Sequence, residues 1–244
     1  MFYPSIPFNK YMKMFKKAFT SGIDIYKLNN LRKKYSIVKN GRLARMTKAR
    51  IISLIFSDVP GDDLSTVASG PTYGAKNAEN ILLLTNMKAL EEMEKMAKIM
   101  GLKSLIVTNR MKGEARETGK RIVKSLDKFP QYNCLIYGGE TTVTMKGRGT
   151  GGRNQELCMG ALEEISKRKA VLVSIDTDGI DGSSDAAGAI VDNETLKLSL
   201  AKNLDYARYL KNNDSYHFFK KLNALIYTGQ TGTNVSDIAV IIKS

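Results

Sequence analysis

Short apolar runs alternate along the chain with longer segments in which apolar residues recur at helical spacing. Continuous apolar runs of five to seven residues are typical of strands buried in a parallel or mixed sheet. The runs that fit lie at 50–56, 104–108, 133–137, 170–175 and 238–242. Helical segments lie between most of them. The pattern therefore predicts an α/β fold with a parallel or mixed sheet and crossover helices.

Helical spacing of apolar residues predicts a long helix at 78–100 and shorter ones at 113–126, 153–167 and 193–210. The first 27 residues predict an irregular start followed by a basic amphipathic helix. A second basic helix follows at 28–45, interrupted near Asn40 and Gly41. We place a domain boundary near Lys128 to Pro130, which divides the chain into segments 1–27, 28–131 and 132–244.

The segment 138–156, GGETTVTMKGRGTGGRNQE, is the main candidate for a functional site. Its glycines allow backbone N–H groups to approach an anion closely. Arg153 begins the following predicted helix, where its charge opposes the helix dipole and calls for an anionic partner. We therefore predict a phosphate or carboxylate site in this loop. Its residues are Gly138, Gly139, Glu140, Thr141, Gly151, Gly152, Arg153 and Asn154.

Two other interpretations of this loop stay open. The glycines could serve only tight hairpin turns. A G-x-G-x-x-G pattern is also present at Gly147, Gly149 and Gly152, with Asp176 at the distance of a dinucleotide fingerprint. However, 141–146 alternates polar and apolar residues like an exposed ribbon, whereas a Rossmann first strand is apolar throughout. The pattern therefore disfavours a dinucleotide site.

Groups of aspartates follow two of the predicted strands, at the position where α/β proteins gather ligands. The loop 176–188 does not have the spacing of an EF-hand, but one or two carboxylates together with phosphate oxygens suit Mg²⁺. Turn formation and helix capping explain the same residues without a metal. The candidate metal ligands are Asp178, Asp181 and Asp185, with Asp58, Asp62 and Asp63 as the alternative set.

The net charge of +14 is concentrated at the start of the chain, because residues 1–50 contain 13 Lys and Arg against one acid, Asp24. A basic block of this kind can indicate a nucleic-acid partner. The aromatic residues within it recur at helical spacing, so we interpret it as an amphipathic helix with a solvated basic face. We expect no nucleic-acid partner.

The remaining composition indicates a cytoplasmic protein without a membrane segment. No apolar stretch approaches the length of a membrane span, and the N-terminus lacks the order of a signal peptide. Cys134 and Cys158 lie in apolar surroundings and are interpreted as reduced core residues. His217 is the only histidine, which argues against histidine-rich metal sites.

Three motifs, read together, carry a resemblance to a known family. They are GGETTVTMKGRGTGGRNQEL at 138–157, DTDGIDGSSDAAGA at 176–189 and TGQTGTNVSDIAVII at 228–242. In order and spacing they resemble the C-terminal MOFRL domain of the glycerate 2-kinases. Segments upstream, including SLIFSDVPGDDLSTVASGPT, resemble the latter part of that family's N-terminal kinase domain. The resemblance begins at about Leu28.

The resemblance implies phosphorylation of D-glycerate at its 2-hydroxyl with ATP and Mg²⁺. It implies that Arg153 binds the transferred phosphoryl group or the glycerate carboxylate. Asp178 and Asp181 are candidates for catalysis through metal or substrate hydroxyl. Ser69, Thr231, Thr233 and Asn234 are candidates to line the same crevice. A hydroxypyruvate reductase and a non-catalytic nucleotide-binding remnant of such a kinase are the alternatives.

The chain also departs from the family pattern. Family members begin with a Rossmann-like half that carries a GAGK-type segment, whose lysine is an active-site residue, and a SGGGSAL loop, and neither is present here. Lys34 stands where the family usually has histidine. We therefore expect that 1–244 alone does not turn over glycerate, and that either a second polypeptide supplies that half or the chain starts late. The expected protein partner is that separate polypeptide or, alternatively, a further copy of this chain in a homo-oligomer.

Overall fold

A computed structural model describes residues 4–22 and 25–243. The chain forms two compact units, Met1–Leu83 and Leu84–Ser244. The boundary predicted near Lys128 to Pro130 lies within the second unit, so the division by packing differs from the division by sequence motifs.

In its described residues, the first unit contains two α-helices, two short 3-10 helices (Ala44–Met46 and Val67–Ser69) and a two-stranded sheet. The elements are α1 (Phe8–Thr20), α2 (Ile25–Tyr35), β1 (Ile51–Phe56) and β2 (Ala78–Leu84). The predicted basic helices are both present, and the second ends at Tyr35, ahead of the break expected near Asn40.

The strand predicted at 50–56 is present as β1, but the expectation that it is buried is wrong on one face. Ile52, Leu54 and Phe56 each expose 57–58% of their surface. The reason is that only β2 pairs with β1 in the described structure, and one face of this small sheet has no covering layer. We call Ile52, Leu54 and Phe56 the exposed apolar face.

The long helix predicted at 78–100 is also wrong in its first third. Residues Ala78–Leu84 form strand β2, and the helix α3 begins at Asn86. Thr85 separates the two elements, because its side-chain oxygen accepts a hydrogen bond from the Lys88 N–H at 3.2 Å and caps the helix. The run Ile81 to Leu84 is apolar without interruption and therefore suits a strand better than an amphipathic helix.

The second unit is a mixed six-stranded sheet with helices on both faces. Its helices are α3 (Asn86–Ile99), α4 (Ala115–Ser125), α5 (Arg153–Ile165), α6 (Thr195–Ala201), α7 (Tyr206–Lys211) and α8 (Ser215–Leu222). Its strands are β3 (Ser104–Met111), β4 (Cys134–Gly139), β5 (Ala170–Asp176), β6 (Gly188–Asp192), β7 (Leu225–Ile226) and β8 (Asp237–Lys243). The strand order is β3-β4-β8-β5-β6-β7. Only β3 and β4 are parallel, so the predicted mixed α/β class is confirmed.

Alternate residues of the central strands pack against the helices on opposite faces. On β4, Cys134 and Ile136 contact the cluster around Leu90 of α3, whereas Leu135 and Tyr137 join the larger core formed with α4, α5 and α8. Cys134 and Cys158 are both free and buried, as predicted. Among the helices in the described residues, none is both long enough and apolar enough to cross a membrane.

Candidate functional site

Arg153 is the centre of a charged cluster at the start of α5. Its Nε donates to Oδ2 of Asp237 at 2.8 Å, and its Nη2 donates to Oδ2 of Asp176 at 2.8 Å and Oδ1 of Asp237 at 3.1 Å. Its Nη1 lies 2.8 Å from Oε1 of Glu140. The anion that an arginine at a helix start requires is therefore supplied, in this structure, by three carboxylates of the protein.

The charge of this cluster is unusual because two of its carboxylates face each other. Asp176 ends β5 and Asp237 begins β8, and the two residues are direct antiparallel partners. Burial, with the neighbouring Asp237, raises the pKa of Asp176 to about 7 against the attraction of Arg153. Burial likewise raises the pKa of Asp237. The charge of the cluster therefore depends on the protonation of the two aspartates that contact the guanidinium. The pKa of Arg153 itself is raised by these partners.

Asp181 caps α5 from a distant loop. Its side chain is fully buried and accepts hydrogen bonds from the backbone N–H groups of Asn154 at 3.0 Å and Gln155 at 2.9 Å. Gly152 makes this approach possible, because a Cβ there would lie 2.3 Å from the Asp181 carboxyl carbon. Burial raises the pKa of Asp181 to about 6 in spite of those hydrogen bonds. Both carboxylate oxygens are engaged in helix capping, which is the alternative that the sequence left open for this loop.

Asn154 links the cap to the charged cluster. Its Nδ2 donates to Oδ1 of Asp237 at 2.9 Å and to Oδ1 of Asp181 at 3.3 Å, while its Oδ1 accepts from the Ser174 hydroxyl at 2.5 Å. The side chain is buried, so every one of these polar atoms is satisfied within the protein. Asn154 therefore positions the carboxylates that in turn position Arg153.

A cleft of about 480 Å³ opens in front of Arg153. Five of the residues predicted from the glycine loop line it, together with other residues of the same segment and residues of two other segments. The predicted residues in its wall are Glu140, Thr141, Gly151, Gly152 and Arg153. The Thr141 hydroxyl is buried behind the cleft wall and has no hydrogen-bond partner among the described residues. The size suits a small organic substrate.

The glycine loop does not present its backbone N–H groups to the cleft as a continuous row. The N–H groups of Lys146 and Gly147 donate to Asn213 Oδ1 at 2.7 and 3.0 Å, and that of Thr150 donates to Asp214 Oδ1 at 3.0 Å. Gly149 donates to the carbonyl of Asn212 at 2.9 Å. These groups anchor the loop on the turn before α8, as the turn-forming interpretation requires.

The other predicted residues are spread over several places. Gly138 and Gly139 end β4. Thr233 and Asn234 line a separate cavity of about 340 Å³ with Asp178, and Thr231 donates its N–H to the Asp178 carbonyl at 3.1 Å. Ser69, Asp58, Asp62 and Asp63 belong to the first unit. Asp63 accepts from the Ser65 N–H at 3.0 Å and from the Thr66 hydroxyl at 2.7 Å in a local turn.

The three aspartates predicted to share a metal have three different environments. Asp181 caps α5, Asp178 accepts from the Ile180 N–H at 2.8 Å, and Asp185 is exposed beside the Tyr216 hydroxyl. In the ranges 4–22 and 25–243, no group of three or more His, Cys, Asp or Glu is arranged to hold a metal ion. The described residues thus offer no preformed metal site.

Two residues of the site were not singled out from the sequence. Asp237 is the first residue of β8, whereas the apolar pattern predicted that this strand begins one residue later, at Ile238. Asn86 is buried at the start of α3, where its Nδ2 donates to the carbonyls of Val235 at 2.7 Å and Asp237 at 3.0 Å and so fixes the start of β8. A polar residue directly beside an apolar run was the available signal in both cases.

Two family models match the chain. Residues 133–237 match the MOFRL family, and residues 1–124 match a family described as Domain of unknown function (DUF4147). The cleft and all four members of the charged cluster lie within the first of these matches. The two matches meet close to the boundary predicted from the sequence motifs.

Relatives that align with nearly the whole of this chain are known. The chain is 36% identical to a glycerate 2-kinase of Pyrococcus horikoshii, over 91% of this chain and 62% of the relative. It is 37% identical to a D-glycerate 2-kinase of Thermotoga maritima, over 93% of this chain and 65% of the relative. A crystal structure of glycerate kinase from Thermotoga maritima covers 100% of this chain with a TM-score of 0.93 at 35% identity, and the match spans 69% of that structure. The chain thus spans under two thirds of the length of both curated relatives.

Proposed function

Since the chain belongs to the glycerate 2-kinase family, we propose that it takes part in the phosphorylation of D-glycerate at the 2-hydroxyl with ATP as the phosphoryl donor. D-glycerate and ATP are then its ligands, and the product is 2-phosphoglycerate. The free, buried Cys134 and Cys158 suit a reducing compartment, so we place the reaction in the cytoplasm.

The observation that carries this proposal is the fixed guanidinium of Arg153 in the wall of the cleft. Asp176 and Asp237 hold Nε and Nη2 from behind, and the Arg153 side chain is 27% exposed. Only Nη1 is paired with a residue that itself lines the cleft, Glu140, whose side chain is 44% exposed. An anionic substrate can exchange with Glu140 at this nitrogen without disturbing the buried partners.

This exchange assigns a role to each member of the cluster. Arg153 binds the glycerate carboxylate or the transferred phosphoryl group, where a preorganised cation stabilises developing negative charge. Asp176, Asp237 and Asn154 are positioning residues, because they contact Arg153 or each other and do not line the cleft.

Magnesium enters this proposal as part of the substrate. Mg²⁺ is usually held by one or two carboxylates and by substrate phosphates. Because Asp181 is engaged in capping α5, Asp178 is the acidic residue of the 176–188 loop that we propose to contact the ion carried by ATP. Thr231, Thr233 and Asn234 stay candidates for contacts to the same ligands, and Ser69 stays a candidate site residue of the first unit.

The test is formation of 2-phosphoglycerate by purified 1–244 with ATP, Mg²⁺ and D-glycerate, with and without a polypeptide supplying the GAGK-like and SGGGSAL-like segments. We expect turnover only in the complemented reaction, because phosphoryl transfer needs charge and positioning groups on several sides. Binding of D-glycerate to 1–244 is measured in parallel by calorimetry. Absence of both binding and complemented turnover would overturn the proposal.

A further inference from the structure

A second cavity in the second unit is lined by basic side chains. It measures about 590 Å³, and Arg110, Lys112 and Arg121 contribute to its wall with Thr118 and Tyr137. The described residues that line it include no Asp or Glu. In the described structure, no carboxylate lies within ion-pair distance of Arg110, Lys112 or Arg121. Arg153, by contrast, has three carboxylates at that distance. The cavity is therefore a concentration of unbalanced positive charge.

The topology places this charge where α/β proteins bind anionic ligands. Arg110 lies near the carboxyl end of β3, which runs parallel to β4 and is joined to it through α4. Lys112, Gly113 and Glu114 form the connection from β3 to α4, and the Glu114 carboxylate accepts hydrogen bonds from the N–H and the hydroxyl of Thr144 at 3.0 and 2.9 Å. The carboxyl end of a parallel βαβ unit opens onto a crevice, and the start of the following helix adds a partial positive charge.

One of the three cations is held in place by the cavity wall itself. Arg121 donates from Nη2 to the carbonyl of Lys112 at 3.1 Å and to the hydroxyl of Thr118 at 2.6 Å. Thr118 is buried, so this guanidinium is anchored on a rigid part of α4. A preorganised arginine loses little conformational entropy when it binds a phosphate.

The cavity is a neighbour of the Arg153 cleft but separate from it. Met111, Lys112 and Gly113 line the basic cavity, whereas Glu140 and Thr142 line the cleft. The two segments are joined by backbone hydrogen bonds, from the Glu140 N–H to the Met111 carbonyl at 3.0 Å and from the Thr142 N–H to the Gly113 carbonyl at 2.9 Å. A ligand in the basic cavity therefore lies one hydrogen-bonded layer away from the proposed glycerate site.

We propose that this basic cavity binds the polyphosphate group of a nucleoside triphosphate. That the ligand is a nucleotide rests on the proposed kinase function. That the cavity binds phosphate groups rests on the geometry alone. Three cations with no carboxylate at ion-pair distance among the described residues match the charge of a triphosphate, and guanidinium groups form paired hydrogen bonds with phosphate oxygens. The cavity volume is in the range of small-molecule sites.

Calorimetric titration of 1–244 with ATP, tripolyphosphate and adenosine, each without glycerate, tests the proposal. We expect ATP and tripolyphosphate to bind and adenosine to bind at least 10-fold more weakly than ATP. The double variant Arg110→Gln, Lys112→Gln should weaken tripolyphosphate binding at least about 10-fold, the scale for charge-assisted hydrogen bonds. Arg121 is left intact because it also supports the fold. Lys103→Gln is the matched control, because Lys103 precedes the opposite end of β3.

The outcomes separate this proposal from the proposed function. Unchanged tripolyphosphate affinity in the double variant, or equal loss in Lys103→Gln, would overturn the basic cavity as the phosphate site. Loss of tripolyphosphate binding in Arg153→Gln alone would place the phosphates in the cleft and would also overturn it. If binding follows the double variant but glycerate is never phosphorylated, the phosphate site stands and the kinase proposal falls.

Discussion

Asp176 and Asp237 lie opposite each other on neighbouring antiparallel strands and share one donor, Nη2 of Arg153, at 2.8 and 3.1 Å. Like charges directly across a strand pair are destabilising, and burial adds a desolvation cost. A single guanidinium offsets these costs only in part, since the pKa of Asp176 stays raised to about 7. The pair therefore makes the orientation of Arg153 dependent on two carboxylates that the cleft does not expose.

The protonation of Asp176 should make folding stability depend on pH. Its pKa in the folded protein is about 7, above the ordinary value of 3.8, so the native state binds more protons than the unfolded state between these values. The contribution of Asp176 to the free energy of unfolding should fall as pH rises from about 4 to about 7. We expect the stability difference between the wild type and Asp176→Asn to decrease over that range, at up to about 1.4 kcal/mol per pH unit.

Urea unfolding at half-unit pH steps measures this difference. Val173→Ala, on the same strand but without a titratable group, provides the control, and its difference from the wild type should not vary with pH. A difference for Asp176→Asn that rises with pH would show that Arg153 dominates over burial.

Arg153→Lys should be nearly as damaging as Arg153→Ala in the complemented enzyme. An ammonium group cannot contact Asp176, Asp237 and Glu140 with three separate nitrogens, so the positive charge would lose its fixed position. We expect kcat to fall about 10²–10³-fold for both variants, the scale for loss of one preorganised electrostatic donor. Steady-state assays measure this, with Arg148→Lys as the control from the same loop. Wild-type kcat and KM in Arg153→Lys would refute the role.

Asp181→Ala should act mainly on stability. It removes the cap of α5 and leaves the buried N–H groups of Asn154 and Gln155 without partners. The expected loss is about 1–3 kcal/mol in the free energy of unfolding. Asp181→Asn retains one side-chain oxygen and should lose less. Chemical denaturation distinguishes the two, and equal stability of Asp181→Ala and the wild type would exclude the capping role.

The magnesium requirement should respond to Asp178 and not to Asp181. Asp178 is partly exposed in a turn, whereas both oxygens of Asp181 are engaged inside the protein. We expect Asp178→Asn to raise the Mg²⁺ concentration for half-maximal activity, because a carboxylate ligand is lost. Folded Asp181→Asn serves as the comparison in the same titration. Identical titration curves for Asp178→Asn and the wild type would remove Asp178 from the site.

The exposed apolar face predicts association in solution. Apolar side chains in a row on an open sheet favour contact with another apolar surface. Leu54→Lys should therefore reduce the apparent mass of 1–244 at high protein concentration. Asn30→Lys adds the same charge at an exposed polar position of α2 and should leave the mass unchanged. Sedimentation velocity provides the measurement, and a monomeric wild type at all concentrations would contradict the prediction.

Local signals in the sequence predicted much of the second unit. The apolar runs that became β3, β4, β5 and β8 were identified because such runs suit buried strands, and Arg153 was identified because its charge is unfavourable at a helix start. These inferences need only neighbouring residues. The mixed α/β class followed from the same runs.

The partners of Arg153 could not be predicted in this way. Asp237 is 84 positions away from Arg153 along the chain, and the two meet only because β8 pairs with β5. The role of Asp181 likewise depends on a loop that folds back onto the start of α5. Helical spacing also mistook 78–84 for part of a helix, because periodicity alone cannot assign a short uninterrupted apolar run such as Ile81 to Leu84 to a strand or a helix.

The central position of β8 has a consequence for the order of events during synthesis. Among the described residues this strand is the last regular element, yet it lies between β4 and β5 and brings Asp237 to Arg153. On the ribosome, β4 and β5 emerge before β8, and until β8 emerges the position between them in the sheet is unfilled. The sheet can close, and the arginine can acquire its buried counter-ion, only after residues 237–243 are released from the exit tunnel. A translational pause before this strand would hold the nascent protein with two unsatisfied strand edges, the state most exposed to chaperones and to mispairing.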